Sequence, residues 1–377
     1  MFGPVHDDKS IDDDNKSDSG DTISSISDSY TNIDDDDPSM FYSLFRNSII
    51  KKPTMEEIME KCLLQRQKDV SIDGEHIKTI PVEFAEFEWI EDMTIESTKI
   101  NVFDVFPKEL KSLTLRDNEI ELFDASLLPR TLLFLKYNYN DTKDVIGLHE
   151  GISVLDMSSN NFILLKCKIP SSVVHCNFSG NRLLRQVPDI VDFGNLKILN
   201  LNDTMVSNID GIPDSVEQLD TCRCHVEIVK KIPSSLRIWK SFNASIESIE
   251  CEFPKGLENL DLYGNRLACC PDLPDGIEEV DLGNNNLLSV PKFPRSIRIL
   301  DLKNNSALNI EELARLSDEF PRVKIHYTNP MRDKSEGWLP FMWTSPHDAT
   351  DSPVEKMEFR YSELNPHYIP LDKTYCV

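Results

Sequence analysis

Acidic side chains recur at a fixed spacing of twenty residues in the C-terminal half of this 377-residue chain. Asp261, Asp281 and Asp301 each follow an apolar residue, and Glu279 and Lys303 lie close to them. Carboxylates that repeat along one surface can steer a basic partner protein towards it. The alternative is that Asp simply fills a solvated strand position and has no binding role. Either interpretation requires that these side chains lie on one face of a regular structure.

Aromatic residues accompany the acidic ones. Phe242 and Tyr263 occupy equivalent places about twenty residues apart, and exposed aromatic side chains commonly dominate interface energies. Trp239 is close in sequence, but it takes an apolar position and is expected to point into the core. We therefore predict a partner-binding surface made of nine residues: Asp220, Lys240, Phe242, Asp261, Tyr263, Glu279, Asp281, Asp301 and Lys303.

Motifs for catalysis, cofactors or metals are not found in the sequence. It contains no phosphate-binding G-x-x-x-x-G-K, no G-x-S-x-G nucleophile and no H-E-x-x-H. The eight His are scattered, and the close pairs Cys222/Cys224 and Cys269/Cys270 lack C-x-x-C spacing with His nearby. We therefore expect no catalytic residues, no cofactor and no metal.

Short repeats are the elements that must position the predicted surface. Twenty residues separate Leu260 from Val280 and Leu262 from Leu282, and one more step reaches Leu300. The motif L-x-L places two apolar side chains on one face of an extended segment and one side chain on the other. Because one such unit cannot bury its apolar face alone, neighbouring units must stack and share a core.

In seven of the units an Asn follows the paired apolar residues at a constant distance. Its amide offers two donors and one acceptor, which can satisfy backbone groups where the chain turns out of a strand. Stacked units would align these amides into a structural ladder. The predicted members are Asn118, Asn140, Asn160, Asn181, Asn265, Asn285 and Asn305.

The combined spacing, L-x-x-L-x-L-x-x-N-x-L-x-x-[LIV], resembles the leucine-rich-repeat family. Pairs such as Ile232-Pro233 and Phe293-Pro294 open the units and resemble its short class of about twenty residues, familiar from secreted bacterial effectors and some large DNA viruses. The resemblance implies a leucine-rich-repeat solenoid with a curved parallel sheet on its concave face and extended or 3-10 segments on its convex face. Some effectors with similar repeats carry a C-terminal ubiquitin-ligase domain, but 47 residues after Pro330 are too few for one.

The domain organisation follows from where the pattern starts and stops. We predict an acidic Asp/Ser-rich tail at 1–40, an N-terminal helical cap at 41–68, about twelve repeats with a C-terminal cap at 69–329, and a Pro/aromatic-rich tail at 330–377. Thr54 and Glu57 form a capping box at the start of an amphipathic helix, which covers the first repeat or, alternatively, binds a partner. The repeat template places Leu183 and Ala307 in the inward-facing position after the Asn.

The net charge of −25 argues against anionic partners. Twelve Asp against Lys9 and Lys16 put about −10 of it in residues 1–40, which cannot bury enough apolar surface to order. Nucleic-acid and membrane binding are disfavoured, because both use clustered Lys and Arg. No basic, apolar leader precedes the tail, and nine Cys indicate reduced thiols, so we expect a cytoplasmic monomer.

The favoured function is that of a non-enzymatic interaction protein, which binds another protein through its concave face. The alternative is an adaptor or effector in host or cellular ubiquitin signalling without ligase activity of its own. In that case the acidic tail, once phosphorylated, or the segment Met40–Leu64 would recruit a ligase. The expected compartment is the cytoplasm, or the host cytoplasm for a viral or effector protein. A passive structural role in a larger particle is also open.

Overall fold

The computed structural model describes residues 52–101, 103–188 and 194–328. The predicted tails at 1–40 and 330–377, and residues 41–51 of the predicted N-terminal cap, lie outside these described residues. In chain order the elements are α1 (Met55–Gln65), β1 (Asp69–Asp73), β2 (Asp92–Glu96), β3 (Ser112–Arg116), β4 (Leu122–Asp124), β5 (Phe134–Asn138), β6 (Asp144–Ile146), β7 (Val154–Asp156), β8 (His175–Asn177), β9 (Ile198–Asn200), β10 (Gln218–Asp220), β11 (Ile228–Val229), β12 (Ile238–Lys240), β13 (Ser248–Ile249), β14 (Asn259–Asp261), β15 (Glu279–Asp281), β16 (Ile299–Asp301), α2 (Ile310–Glu319) and β17 (Lys324–His326). Two 3-10 helices span Val82–Glu86 and Ala125–Leu127.

Thirteen of these strands form one parallel sheet, in the order β1-β2-β3-β5-β7-β8-β9-β10-β12-β14-β15-β16-β17. Each turn of the chain adds one strand, and the central residues of successive strands are in register, as for Leu260, Val280 and Leu300. The strands β4 with β6 and β11 with β13 form two further two-stranded parallel sheets. The predicted leucine-rich-repeat solenoid of about twelve turns is confirmed.

One continuous apolar core runs through the solenoid and contains an inward-facing residue of every strand except β13 and β17, whose Ile249 and Ile325 are partly buried and pack against it. The template is wrong at two positions after the Asn: Leu183 and Ala307 are exposed, and Leu184 and Leu308 are buried instead. In both turns the N–H three residues after the Asn donates to the Asn carbonyl, at 2.9 Å for Leu184 and 3.2 Å for Leu308. This tight turn brings the third residue inward rather than the second.

The seven predicted ladder Asn residues are all buried at the ends of strands. Asn265 illustrates the arrangement: its Nδ2 donates to the carbonyls of Ser241 (2.7 Å) and Leu262 (2.9 Å), and its Oδ1 accepts from the backbone N–H of Ala244 (3.1 Å) and Ile246 (2.9 Å). One amide therefore joins two consecutive turns. Other residues occupy this position in four turns: Thr98, Thr204, Cys224 and Ala244.

The residue before each of these positions has a left-handed backbone conformation, with φ between 52° and 70° in eleven turns. Gly and Asn tolerate this region well, and they occupy five of the eleven positions. Tyr139 and Arg223 adopt it as well, although their side chains disfavour it. The conformation is imposed by the turn out of the strand, which every repeat must make.

The two helices lie at the ends of the stack. In α1, Glu57 N–H donates to Thr54 Oγ1 and Thr54 N–H to Glu57 Oε2, which is the predicted capping box. This helix buries Ile58 and Cys62 against the first repeat, so the predicted N-terminal helix is confirmed. Within the described ranges, neither helix, of eleven and ten residues, is long and apolar enough to cross a membrane.

Candidate functional site

The nine predicted binding residues lie on and just after strands β10, β12, β14, β15 and β16, which are neighbours in the sheet. Register pairs Asp220 with Lys240, Lys240 with Asp261, Asp261 with Asp281, and Asp281 with Asp301. Each of these five residues comes directly after the buried residue of its strand. We call the row Asp220, Lys240, Asp261, Asp281 and Asp301 the acidic column. Adjacent strands are about 4.8 Å apart, so the last three Asp residues span about 10 Å. The register therefore brings the residues of this row, which were predicted from their spacing, side by side on one surface.

The structure adds a backbone role for the acidic column. Oδ1 of Asp281 accepts the backbone N–H of Gly283 at 2.8 Å, and Oδ1 of Asp261 accepts that of Tyr263 at 3.1 Å. The same bond to the residue two positions later is made in five other turns, by Asp156, Asn177, Asn200, Asp220 and Asp301. Asp and Asn are thus selected here because they close a local turn, which accounts for their recurrence without a partner.

Strand length follows from these side-chain bonds. Where Thr94, Thr114 or Lys136 takes the equivalent place, the strand runs for five residues. Where Asp or Asn occupies this place, the strand is three residues long. The backbone N–H two residues later donates to the Asp or Asn side chain instead of to the neighbouring strand. Lys240 is the exception: its strand is also short, because both neighbouring strands end at Asp residues.

Crowding and burial affect the charge of the acidic column. Burial and, to a smaller extent, the carboxylates of Asp261 and Asp301 together raise the pKa of Asp281 to about 7, against the opposing effects of the Gly283 N–H and Lys303. Burial also raises the pKa of Asp261, and Asp220 acts in the same direction while Lys240 opposes it. The centre of the column is therefore short of compensating positive charge.

The ends of the predicted surface are better compensated. Oδ2 of Asp301 lies 3.1 Å from Lys303 Nζ and 3.4 Å from His326 Nδ1, a residue that the sequence did not single out. Glu279 is partly buried and accepts a 3.3 Å hydrogen bond from Asn259 Nδ2. A partner would therefore meet uncompensated charge chiefly at Asp261 and Asp281.

The two aromatic residues are half-buried, and each rests on a specific neighbour. The Arg223 guanidinium lies 5.1 Å from the centre of the Phe242 ring and is itself 3.0 Å from Asp203 Oδ2. The Tyr263 ring lies against Gly283, where a Cβ would come within 3.1 Å of it. Gly283 thus provides the space that the Tyr263 ring occupies. Arg223 was missed because nothing in the repeat pattern links it to Phe242.

The close pair Cys222 and Cys224 is part of the folded interior. Cys222 and Cys224 are buried, and Cys224 Sγ donates to the Leu201 carbonyl at 3.1 Å, as a ladder Asn would. Burial raises the pKa of Cys224 to about 12, so the thiol stays protonated. In the part of the chain that the structure describes, no three His, Cys, Asp or Glu residues are grouped closely enough to hold a metal ion.

Replacing Asp281 by Asn should change how stability depends on pH. The folded pKa of about 7 exceeds the ordinary 3.8, so the native state binds more protons than the unfolded state between these values. The stabilising contribution is therefore present in full below about pH 4 and is lost as the pH rises through 7. Asn keeps the bond from Gly283 N–H but carries no charge. We expect Asp281→Asn to match the wild type near pH 4 and to be more stable at pH 8 in urea unfolding.

The matched control for this measurement is Asp318→Asn, on the exposed face of α2. It should shift the free energy of unfolding little at either pH. If Asp281→Asn and the wild type gave parallel curves from pH 4 to pH 8, the protonation of Asp281 would not be linked to folding.

No protein-family model and no curated protein matches the chain. Similar solved structures include YopM, a leucine-rich effector protein of Yersinia pestis, at 15% identity over 77% of this chain and 98% of that chain, with a TM-score of 0.48. A leucine-rich-repeat protein of Leptospira interrogans is 20% identical over 65% of this chain and 74% of its own, with a TM-score of 0.46.

A chain of the Toll–Spätzle complex of Drosophila is 15% identical over 70% of this chain, with a TM-score of 0.52. The match covers 46% of that longer chain. At these identities the comparisons concern the fold alone. The parallel strands, their register and the buried Asn residues, together with the Toll–Spätzle match, show that the chain has the leucine-rich-repeat fold.

Proposed function

We propose that this chain is a non-enzymatic interaction protein, and that it binds a basic segment of another protein on the concave surface formed by β10, β12, β14, β15 and β16. The observation that carries the proposal is the uncompensated negative charge at the centre of the acidic column, where the pKa of Asp281 is raised to about 7. A Lys or Arg supplied by a partner would stabilise the ionised carboxylates that the chain itself leaves crowded. The Toll–Spätzle structure offers a precedent for this fold in a protein complex.

The surroundings of the column suit a protein partner. Oδ1 of each Asp is used by the backbone, so Oδ2 of Asp261 and Asp281 remains the group that can face a ligand. Phe242 and Tyr263 are half-buried beside the column and would add apolar contact area. Lys240 and Lys303 bound the acidic stretch and would limit the register in which a basic segment can lie.

The turn-closing role of Asp allows a clean test of this surface. The triple variant Asp261→Asn/Asp281→Asn/Asp301→Asn removes three carboxylates but keeps an acceptor for each backbone N–H, as Asn177 and Asn200 already do. Partners captured from lysate with the full-length chain would be identified and then measured by surface plasmon resonance. We expect the association rate to fall by about tenfold in the triple variant, with a weaker dependence on salt.

The control removes the same charge from exposed positions away from this surface, as Glu250→Gln/Glu252→Gln/Asp275→Asn. It should leave the association rate within about twofold of the wild type, since exposed charges beyond a screening length act weakly. Equal binding by the wild type and the triple Asn variant would overturn the proposed surface.

The ubiquitin-adaptor alternative depends on residues 1–64, most of which lie outside the described part of the chain, and it stays a prediction. The same holds for the expected monomeric state and cytoplasmic location.

A further inference from the structure

A second surface, remote in sequence from the acidic column, has the opposite charge. Residues 161–188 contain Lys166, Lys168, Arg182 and Arg185 and no Asp or Glu, within a chain whose net charge is −25. All four side chains are exposed. They belong to the fifth and sixth repeats, between the ladder residues Asn160 and Asn181 and the start of the next turn.

Exposed apolar side chains accompany these cations. Ile163, Leu164 and Leu183 are 55%, 45% and 47% exposed, although side chains of their type are usually core residues. Arg185 N–H donates to the Ile163 carbonyl at 3.4 Å, which places the two turns side by side. Leu183 is exposed because the tight turn after Asn181 brings Leu184 inward instead.

A groove of about 700 Å³ extends from these turns to the next one. Its lining includes Leu164 of the fifth repeat, Arg185 and Val187 of the sixth, and Ser207 and Asn208 of the seventh. Its lining therefore combines an apolar wall, one cation and two small polar groups. Grooves of this size and composition accept a few side chains of a peptide or a small ligand.

The two Arg residues of this surface have no carboxylate partner among the described residues. Elsewhere in the described repeats, several exposed or half-buried Lys and Arg pair with a carboxylate one turn away, as Lys197 does with Glu217 and Arg237 with Glu258. Neither Arg182 nor Arg185 makes an ion pair within the described ranges, and Lys166 reaches Asp144 only at 3.9 Å. Two guanidinium groups are thus available to an external anionic partner.

We propose that this flank surface, formed by Ile163, Leu164, Leu183, Arg182 and Arg185, binds an acidic segment of another protein that also carries large apolar side chains. The two guanidinium groups pair bidentately with Asp or Glu of the segment, and its apolar side chains cover Ile163, Leu164 and Leu183. The apolar side chains of the segment enter the groove beside Leu164. The site does not involve the acidic column and stands independently of it.

The large negative net charge of the chain does not prevent this association. At physiological ionic strength exposed charges are screened over about 8 Å, so an approaching segment responds mainly to the local cations. Nucleic acid fits less well, because its affinity depends on many phosphate contacts and this surface offers few cations. A membrane surface fits less well too, because anionic membranes are bound by larger clusters of Lys and Arg.

The test uses the full-length chain and a fluorescein-labelled synthetic peptide in which Leu and Phe alternate with pairs of Asp and Glu. Fluorescence anisotropy should show saturable binding that weakens as salt is raised. A peptide with Asn and Gln in place of Asp and Glu, and a peptide with Ser in place of Leu and Phe, should each bind at least about tenfold more weakly.

Variants assign the binding to the flank surface. We expect Arg182→Glu/Arg185→Glu and Ile163→Ser/Leu183→Ser each to weaken binding at least about tenfold, with circular dichroism unchanged because all four side chains are exposed. The charge-matched control is Arg295→Glu/Arg322→Glu, two exposed cations elsewhere, which should bind as the wild type does. The triple Asn variant of the acidic column should also bind normally.

Three outcomes would overturn the proposal: no binding of the acidic peptide, equal binding of the peptide without acidic residues, or equal loss in the control variant. Binding to phosphatidylserine vesicles that depends on Arg182 and Arg185, without binding of the peptide, would assign the surface to a membrane instead. The variants of the acidic column and of the flank surface are tested separately, so a negative result for one surface does not contradict the proposal for the other.

Discussion

Replacing Asn265 by Ala is expected to lower the free energy of unfolding by about 3 kcal/mol. The Ser241 carbonyl and the N–H groups of Ala244 and Ile246 would each lose the hydrogen bond that Asn265 provides in this buried turn. A buried backbone group without a partner costs about 1–3 kcal/mol, and three such groups are left. The Leu262 carbonyl is protected, because Asn285 Nδ2 also donates to it at 2.9 Å. Urea unfolding followed by circular dichroism measures the loss.

Two further variants separate the hydrogen bonds from other effects of the change. Asn286→Ala removes an exposed amide one residue after the ladder and should cost less than about 0.5 kcal/mol. Asn265→Thr should lose nearly as much as Asn265→Ala. Thr204 at the equivalent place donates to the carbonyl of its own turn, Leu201, at 2.8 Å, and the corresponding Leu262 carbonyl already accepts from Asn285. Equal losses for Asn265→Ala and Asn286→Ala would show that water replaces the amide at no cost. Because repeats interact mainly with their neighbours, the loss could also appear as a separate transition.

Replacing Trp239 by Ala should destabilise the fold by about 4 kcal/mol. Trp239 is fully buried between Leu219 and Leu260 of the adjacent strands. Its Nε1–H donates to Thr221 Oγ1 at 3.2 Å, and Thr221 in turn donates to Ser241 Oγ at 2.8 Å. Thr221 and Ser241 occupy core positions that are usually Leu, and their smaller side chains leave space in the core. The indole of Trp239 fills this space. Truncation to Ala leaves a cavity that stacked strands cannot close.

The residue found in neighbouring repeats provides the intermediate case. Trp239→Leu should cost about 2 kcal/mol, because Leu restores part of the volume but leaves room for a void. Leu288→Ala, at a position that is 71% exposed, is the control and should change the unfolding free energy little. A loss below 1 kcal/mol for Trp239→Ala would mean that the neighbouring repeats relax around the gap.

The repeat architecture could be predicted because its signal is local and recurs. Most units repeat the apolar pattern and the Asn at the same spacing, so a unit that departs from the pattern can still be aligned from its neighbours. The weak unit at Leu236 to Ile249, with Ser241 and Ala244, was placed correctly by its neighbours for this reason. The N-terminal helix was also predictable, because Thr54 and Glu57 specify its first turn by direct side-chain bonds.

Details that depend on hydrogen bonds within one turn were missed. The repeat template placed Leu183 and Ala307 inward. In the structure the N–H three residues after the Asn donates to the Asn carbonyl, and this tight turn buries Leu184 and Leu308 instead. Both alternatives place an apolar residue inward in the sixth repeat, so hydrophobic spacing alone could not choose between them. The basic and apolar flank surface was missed for a related reason: the exposure of Leu183 follows from that same turn.

By itself the sequence determined the stacked parallel sheet, the buried Asn positions and the surface on which the acidic column lies, because one spacing repeated about twelve times leaves a single compact arrangement for the apolar residues. Only the tertiary structure decided what the individual polar groups do. It showed that Asp261, Asp281 and Asp301 close turns as well as carrying charge, and that Asp281 is crowded enough to hold a proton near neutral pH. The physical reason is that burial follows from periodicity along the chain, whereas hydrogen bonding and pKa depend on distances between turns that spacing does not specify.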